Sequence, residues 1–350
     1  MDVARLLARS AGCEALSARW PVAFLLFAIA MLAGCERQAA TETASDSGSV
    51  DTVRVAVTDF AAVAPLFVAV AEGFPEKEGL KFSVQRYASG KAAMEAMLDG
   101  KADVATVADM PIALAAVKGK PIVVLATFAN GEDDYGVVAR RDRGITDAVA
   151  LKGKRIALTP GTGGDYFLDA LLIRQRLSRA DVQVTTLAPP ELVPALEDGR
   201  IDAISTWEPY LSTARRNLGP NAASFSSGGI YESTFNLVAT RDFANQRGQA
   251  VKKLIKTLLR AEVFLKNESA TTLRIMAAEL KQPPAETREL LSKHRFMVSL
   301  DQSLILMMED EARWMIRQRM VESAALPNFL DHISISALQE IRPRAVTIIR

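Results

Sequence analysis

The residues best placed to do chemistry lie in a glycine-rich run and in a phrase written twice. Thr159-Pro160-Gly161-Thr162-Gly163-Gly164-Asp165 joins a strand pattern to a helical one that begins near Tyr166. Glycines Gly161, Gly163 and Gly164 let the backbone approach a ligand. Free N–H groups at a helix start favour an anionic or strongly polar group by about 0.3–1 kcal/mol. A tight turn with an N-cap explains the run equally well. It is not a nucleotide motif, because G-x-G-x-x-G would need glycine where Tyr166 stands and no G-K-[ST] follows. The doubled phrase is DGKADVATVADMP, residues 99–111, and DGRIDAISTWEPY, residues 198–210.

Each copy of that phrase divides into scaffold and candidate site. Asp103 and Asp202 follow a D-G turn and open a buried strand, so turn and strand-start structure is their expected role. Thr106 and Ser205 stand further along, where a hydroxyl can face a cleft. Asp109 and Glu208 sit at the next helix openings, where capping competes with ligand contact. Trp207 is either a packing residue or a flat apolar wall, with Phe60, Tyr87 and Tyr166 as further walls. Asp59 and Ser89 lie in the loops Thr58-Asp59-Phe60 and Tyr87-Ala88-Ser89-Gly90, and Thr162 in the glycine run. The two histidines, His294 and His332, lack ligand spacing and read as surface or helix-end residues. No metal, cofactor or histidine-based catalysis is expected.

These loops need a frame that gathers them. From Val53 short strand patterns alternate with helical ones closed by glycine: Val53–Val57, Phe82–Tyr87, Val104–Val107 and Ile122–Ala126 are strands, and Lys91–Leu98 and Pro111–Val117 are helices. That alternation means βαβ units and a mainly parallel sheet, with ligands beyond the strands' carboxyl ends. The second half repeats the order. Arg155–Thr159 echoes Arg54–Thr58, the D-G phrases follow, and Val238–Asp242 echoes Val138–Asp142, at offsets of 101, 99 and 100. Three matches in register argue for two similar α/β lobes facing one cleft. The V-A-x-R-D segments are expected as hinge crossovers near Arg140 and Thr240. Lobe one is expected over 52–139 and 240–350, and lobe two over 140–239. The tail from Gln249 is helical in pattern and should pack on lobe one.

Length and charge bound the rest. A chain of 350 residues, 49% hydrophobic, suits two lobes. Its formal charge is +1, and beyond Cys35 it carries 39 bases and 39 acids, which gives no claim on nucleic acid. The first residues place three arginines before PVAFLLFAIAMLA and end in Leu32-Ala33-Gly34-Cys35. That is the layout of a secretory signal, residues 1–34, with a cysteine placed for lipidation; an ordinary signal with a chance cysteine and an uncleaved anchor are the alternatives, and the polar linker that follows, 35–51, favours the first. The only other cysteine, Cys13, lies within the signal, so the mature chain has no disulfide.

The lipobox, the D-G-x-x-D phrases, Ala108-Asp109-Met110-Pro111 and Thr206–Tyr210 together resemble the substrate-binding proteins of ABC importers. The group is the nitrate/sulfonate/taurine and thiamine-pyrimidine-precursor type. The tail segments Leu300–Leu304, Glu311–Trp314, Pro327–Leu330 and Arg342–Val346 are similar to that group's as well. The resemblance implies a two-lobed type II periplasmic-binding fold with two crossover strands and a helical C-terminal region on lobe one. It implies a monomer tethered through a lipid at Cys35, facing the periplasm or cell exterior. It captures a small-molecule solute and delivers it to permease and ATPase subunits. The group's helix-start loop maps onto Gly161–Gly164, and its aromatic cleft segment onto Trp207–Tyr210. Asp59, Asp109 and Glu208 would add acidic lining, which disfavours bare nitrate. A sulfonate is the expected solute and a pyrimidine the alternative. Pyrimidine synthases share the fold but use a cysteine-rich iron motif and a reactive histidine, which this chain lacks. A binding protein feeding a sensor is a third reading.

Overall fold

The structure, a computed structural model, describes residues 51–322 and 325–349. The expected signal and Cys35 lie outside the described residues. Among the described residues eleven strands form two mixed sheets. They are β1 (Asp51–Thr58), β2 (Leu80–Tyr87), β3 (Val104–Ala108), β4 (Ile122–Gly131), β5 (Tyr135–Arg140), β6 (Arg155–Leu158), β7 (Gln183–Thr186), β8 (Ala203–Trp207), β9 (Ala222–Ser226), β10 (Ser233–Thr240) and β11 (His294–Ser299).

Sheet one runs β11-β4-β10-β3-β1-β2 and sheet two β7-β6-β8-β5-β9. Apart from β11 the two orders correspond strand for strand. Counted from β2 in sheet one and from β7 in sheet two, the fourth strand of each runs antiparallel to both its neighbours, β10 in sheet one and β5 in sheet two. These are the two strands that carry the V-A-x-R-D repeat. The chain enters sheet two between β4 and β5 and returns between β9 and β10. Residues 135–139 therefore belong to sheet two and 233–239 to sheet one, so the crossings lie at 132–134 and 227–232 rather than at Arg140 and Thr240. Both crossing strands pair along their whole length in the sheet they enter, which leaves no hinge within them.

Burial follows from the patterns. All five residues of β3 are buried, as a strand covered on both faces by helices requires. One core joins sheet one to tail residues such as Leu254, Leu304, Met308 and Trp314, and two smaller cores lie on sheet two. The helices Gly248–Asn267 and Gln302–Arg317 form where the apolar spacing predicts them. The strand β11 is an exception to the helical reading of the tail: six residues, HRFMVS, extend sheet one along β4. No helix of the described residues is long and apolar enough to cross a membrane.

Candidate functional site

Two matched clamps fix the strands that carry the site. In lobe one Asp103 Oδ2 accepts from the Arg54 backbone N–H at 2.8 Å, and Asp103 Oδ1 from its guanidinium at 2.7 Å. In lobe two Asp202 accepts from Arg155 in the same way, at 2.9 and 2.7 Å. Each arginine also donates to the glycine carbonyl of the D-G turn, Gly100 at 2.7 Å and Gly199 at 2.9 Å. One carboxylate thus ties a turn, a strand start and the neighbouring strand. The repeated aspartates are scaffold, and they set the height at which β3 and β8 end.

At those ends lies a cleft of about 40 Å³, the volume of a few waters. Lobe one supplies Thr58, Phe60, Ser89, Gly90, Lys91, Thr106, Ala108, Pro111 and Phe235; lobe two supplies Tyr135, Thr162, Gly163 and Trp207. Two helix starts open onto it. Ser89 caps the helix Gly90–Leu98, its Oγ accepting from the Ala92 N–H at 3.1 Å. Thr162 precedes the helix Gly163–Arg174 and donates to the Thr159 carbonyl at 2.7 Å. Thr106 is 2% exposed, yet its Oγ1 has no partner.

Of the residues expected at the site, Phe60, Ser89, Thr106, Thr162, Gly163 and Trp207 are brought together. The others are not. Asp59 is exposed and pairs with Arg86, which also holds Glu279. Tyr87 donates to Gln85 at 2.9 Å, away from the lining. Asp109 is fully buried and points behind the cleft, where it accepts from Tyr231 Oη and from the Thr234 N–H at 2.6 Å. Glu208 turns back onto its own helix, Tyr210–Leu218, accepting from the Ser212 N–H at 2.8 Å and from Arg215 at 2.5 Å. Gly161, at φ +69°, and Gly164 serve the loop itself: a Cβ on Gly164 would press on the Ser205 carbonyl at 2.9 Å. Tyr166 donates to Asp310 at 3.2 Å and packs edge-on against Trp314. The acidic lining expected from Asp59, Asp109 and Glu208 is absent, since every one of them has a nearer partner.

Sequence reasoning missed three lining residues that matter, Lys91, Tyr135 and Phe235, and named Thr58 only as part of its loop. Lys91 Nζ reaches across the cleft to the Pro160 carbonyl at 3.1 Å, and among the described residues it forms no ion pair. Tyr135 stands opposite Trp207 in the β5–β8 ladder, and Phe235 opposite Ala108 in the β10–β3 ladder. They are counterparts a hundred residues apart, three positions ahead of the repeated Val138-Ala139 and Val238-Ala239. Thr58 adds a half-buried hydroxyl. Burial, with the nearby Asp109, Asp134 and Glu311 carboxylates, pushes the Tyr135 phenol well above its usual range, so it stays protonated and can donate. A side chain on Gly163 would overlap the Tyr135 ring, which closes that helix start down to backbone.

Behind the cleft the two crossing segments are tied together. Tyr231 Oη lies between Asp109 and Glu311, 3.0 Å from the latter, and its ring packs against Tyr135 and Tyr166. Burial and the Asp109 charge push the Glu311 carboxyl well above its usual range. Trp314 Nε1 donates to Asp169 of lobe two at 2.8 Å. Both histidines stand at helix ends, as expected, but neither side chain is on the surface. His294 is buried against Asp134, 2.8 Å away, and Asp134 accepts from Ser233 at 2.7 Å; His332 is buried beside the Ile122 carbonyl. Among the described residues no cluster of His, Cys, Asp or Glu is arranged to hold a metal.

The family model described as NMT1/THI5 like matches residues 61–270. A putative aliphatic sulfonates-binding protein of Bacillus subtilis is 30% identical over 247 residues, covering 69% of this chain and 73% of the relative. The taurine-binding periplasmic protein of Escherichia coli is 25% identical over 60% of this chain and 66% of its own. In fold, the chain is similar to the alkanesulfonate-binding protein SsuA from Xanthomonas axonopodis pv. citri bound to MOPS. The TM-score is 0.70 at 21% identity, over 81% of this chain and 98% of that one.

Proposed function

The chain belongs to the NMT1/THI5 like family, and from that premise we propose that it is the extracytoplasmic solute-binding component of an ABC importer that closes its lobes on a small sulfonate. The observation that carries this is the chemistry of the cleft lining. It offers a cation, Lys91, hydroxyls from Thr58, Ser89, Thr106 and Tyr135, and two helix starts, with no carboxylate among them. Such a lining donates hydrogen bonds and supplies positive potential, which suits an oxyanion with several acceptor atoms. Sulfonate and taurine in the names of two relatives point the same way.

The alternatives fit less well. An aminopyrimidine presents donors that need an acceptor, and the lining supplies no carboxylate, amide or imidazole side chain. Nitrate would satisfy the donors but leave Phe60, Ala108, Pro111, Trp207 and Phe235 without an apolar body to cover. The lining carries no cysteine, histidine or carboxylate side chain, and its one amine, Lys91, is bonded to the Pro160 carbonyl, an arrangement that suits capture and release.

The mechanism is closure. A solute held at the Gly90 helix start on lobe one and the Gly163 start on lobe two favours the closed arrangement by its differential affinity for it. Lys91, already bonded to Pro160 across the gap, is the side chain that senses both lobes. Export and a lipid tether at Cys35 would hold the protein at the membrane that carries the permease. A thermal-shift screen of alkanesulfonates, nitrate, aromatic carboxylates and aminopyrimidines tests the reading. At a hundredfold excess over Kd a true solute stabilises by about 2.7 kcal/mol. Stabilisation by alkanesulfonates is the expected result, and stabilisation by aminopyrimidines alone would overturn it.

A further inference from the structure

Resting on the sulfonate reading, we infer that the solute is a small monoanionic sulfonate with an uncharged apolar body, and that the cleft discriminates against an ammonium at the solute's far end. The donors account for one anionic group. What remains of the lining is Phe60, Ala108, Pro111, Trp207 and Phe235, all apolar. An ammonium on the solute must shed water on entering, and only a carboxylate or several carbonyls would replace that hydration. Each carboxylate near the cleft is already committed. Asp59 is held by Arg86, Asp109 by Tyr231 and Thr234, and Asp134 by Ser233 and His294. Asp165 is held by the Gly161 N–H at 2.9 Å and Arg179 at 2.5 Å, and Glu208 by Arg215 and Ser212. Lys91 adds a like charge to the same small space. Aromatic faces attract a cation, but less than its lost hydration requires.

Two compounds of equal length isolate the point: 1-propanesulfonate ends in a methyl where taurine ends in an ammonium. Calorimetric titration of the exported chain with each at neutral pH should give 1-propanesulfonate at least about tenfold tighter binding. Equal or tighter binding of taurine would overturn the inference and leave the sulfonate reading standing. Binding of neither compound would overturn both, and the nitrate and aminopyrimidine arms of the thermal screen would then identify the class that replaces them.

Discussion

Asp103 and Asp202 do the same work in the two lobes, down to the guanidinium, the backbone N–H and the turn carbonyl that complete each clamp. The residues a few places further on do not. Lobe one ends its strand in Val107-Ala108, with Phe235 opposite; lobe two ends in Thr206-Trp207, with Tyr135 opposite. The acids that follow diverge as well, Asp109 turning towards Tyr231 of the second crossing segment and Glu208 onto its own helix. A duplicated frame therefore holds two unlike rims. Lobe one gives the cation and most hydroxyls, and lobe two gives the large aromatic wall and the bare helix start.

The largest break in that comparison should come at Gly163. Gly163→Leu puts a side chain through the space of the Tyr135 ring, so affinity should fall by roughly a hundredfold or more while circular dichroism shows an intact fold. At Gly90 of lobe one the nearest atoms to an added Cβ are 3.2 Å away, so Gly90→Ala should cost far less in the same titration. Next in size, Trp207→Ala removes the wall that Ala108 does not supply. It should weaken binding by about tenfold and abolish the solute-induced change in fluorescence.

Smaller and matched effects are expected at the clamps. Asp103→Asn and Asp202→Asn should each lower stability by about 1 kcal/mol, equally, with solute affinity unchanged by calorimetry. Burial pushes Asp103 up, but the bonds from Arg54 outweigh it and hold the carboxyl below its usual range; the Arg155 bond does the same for Asp202. A depressed folded pKa means stability that is complete above the unfolded value near 4 and lost as pH falls through the folded one. The double variant should therefore flatten the acid limb of a stability–pH curve below about pH 4 and leave neutral pH behaviour the same in shape. Trp314→Phe should change solute affinity least. It removes one hydrogen bond to Asp169, which keeps Arg179 at 2.7 Å, and leaves Trp207 as the tryptophan that reports solute in the exported chain.

The sequence carried the frame because frames are local. Strand and helix patterns, D-G turns and the three repeats each depend on neighbours a few residues away, and all appear in the two sheets. The site was legible where a residue's place decides its role, as with Ser89, Thr106, Gly163 and Trp207. It was illegible where a side chain's direction decides. Asp109 looks like a cleft residue until Tyr231 and Thr234, more than 120 residues later, claim it. Lys91 stood only as the first residue of a helical span, because its role arises from how the Gly90 helix meets Pro160. Tyr135 and Phe235 were within reach: extending the V-A repeat three residues upstream pairs two aromatics at the same offset of 100. The strand β11 was hidden because six residues with little alternation inside a helical tail leave no period to find.

The central claim is that a carboxylate-free, donor-rich cleft built around Lys91 captures a sulfonate. Calorimetric titration of 1-propanesulfonate into the protein and its Lys91→Met variant tests it most directly. The account predicts one saturable site in the parent chain and a loss of affinity of roughly a hundredfold in the variant, with the melting temperature of the free protein little changed. Affinity that survives the loss of Lys91 undiminished would contradict it.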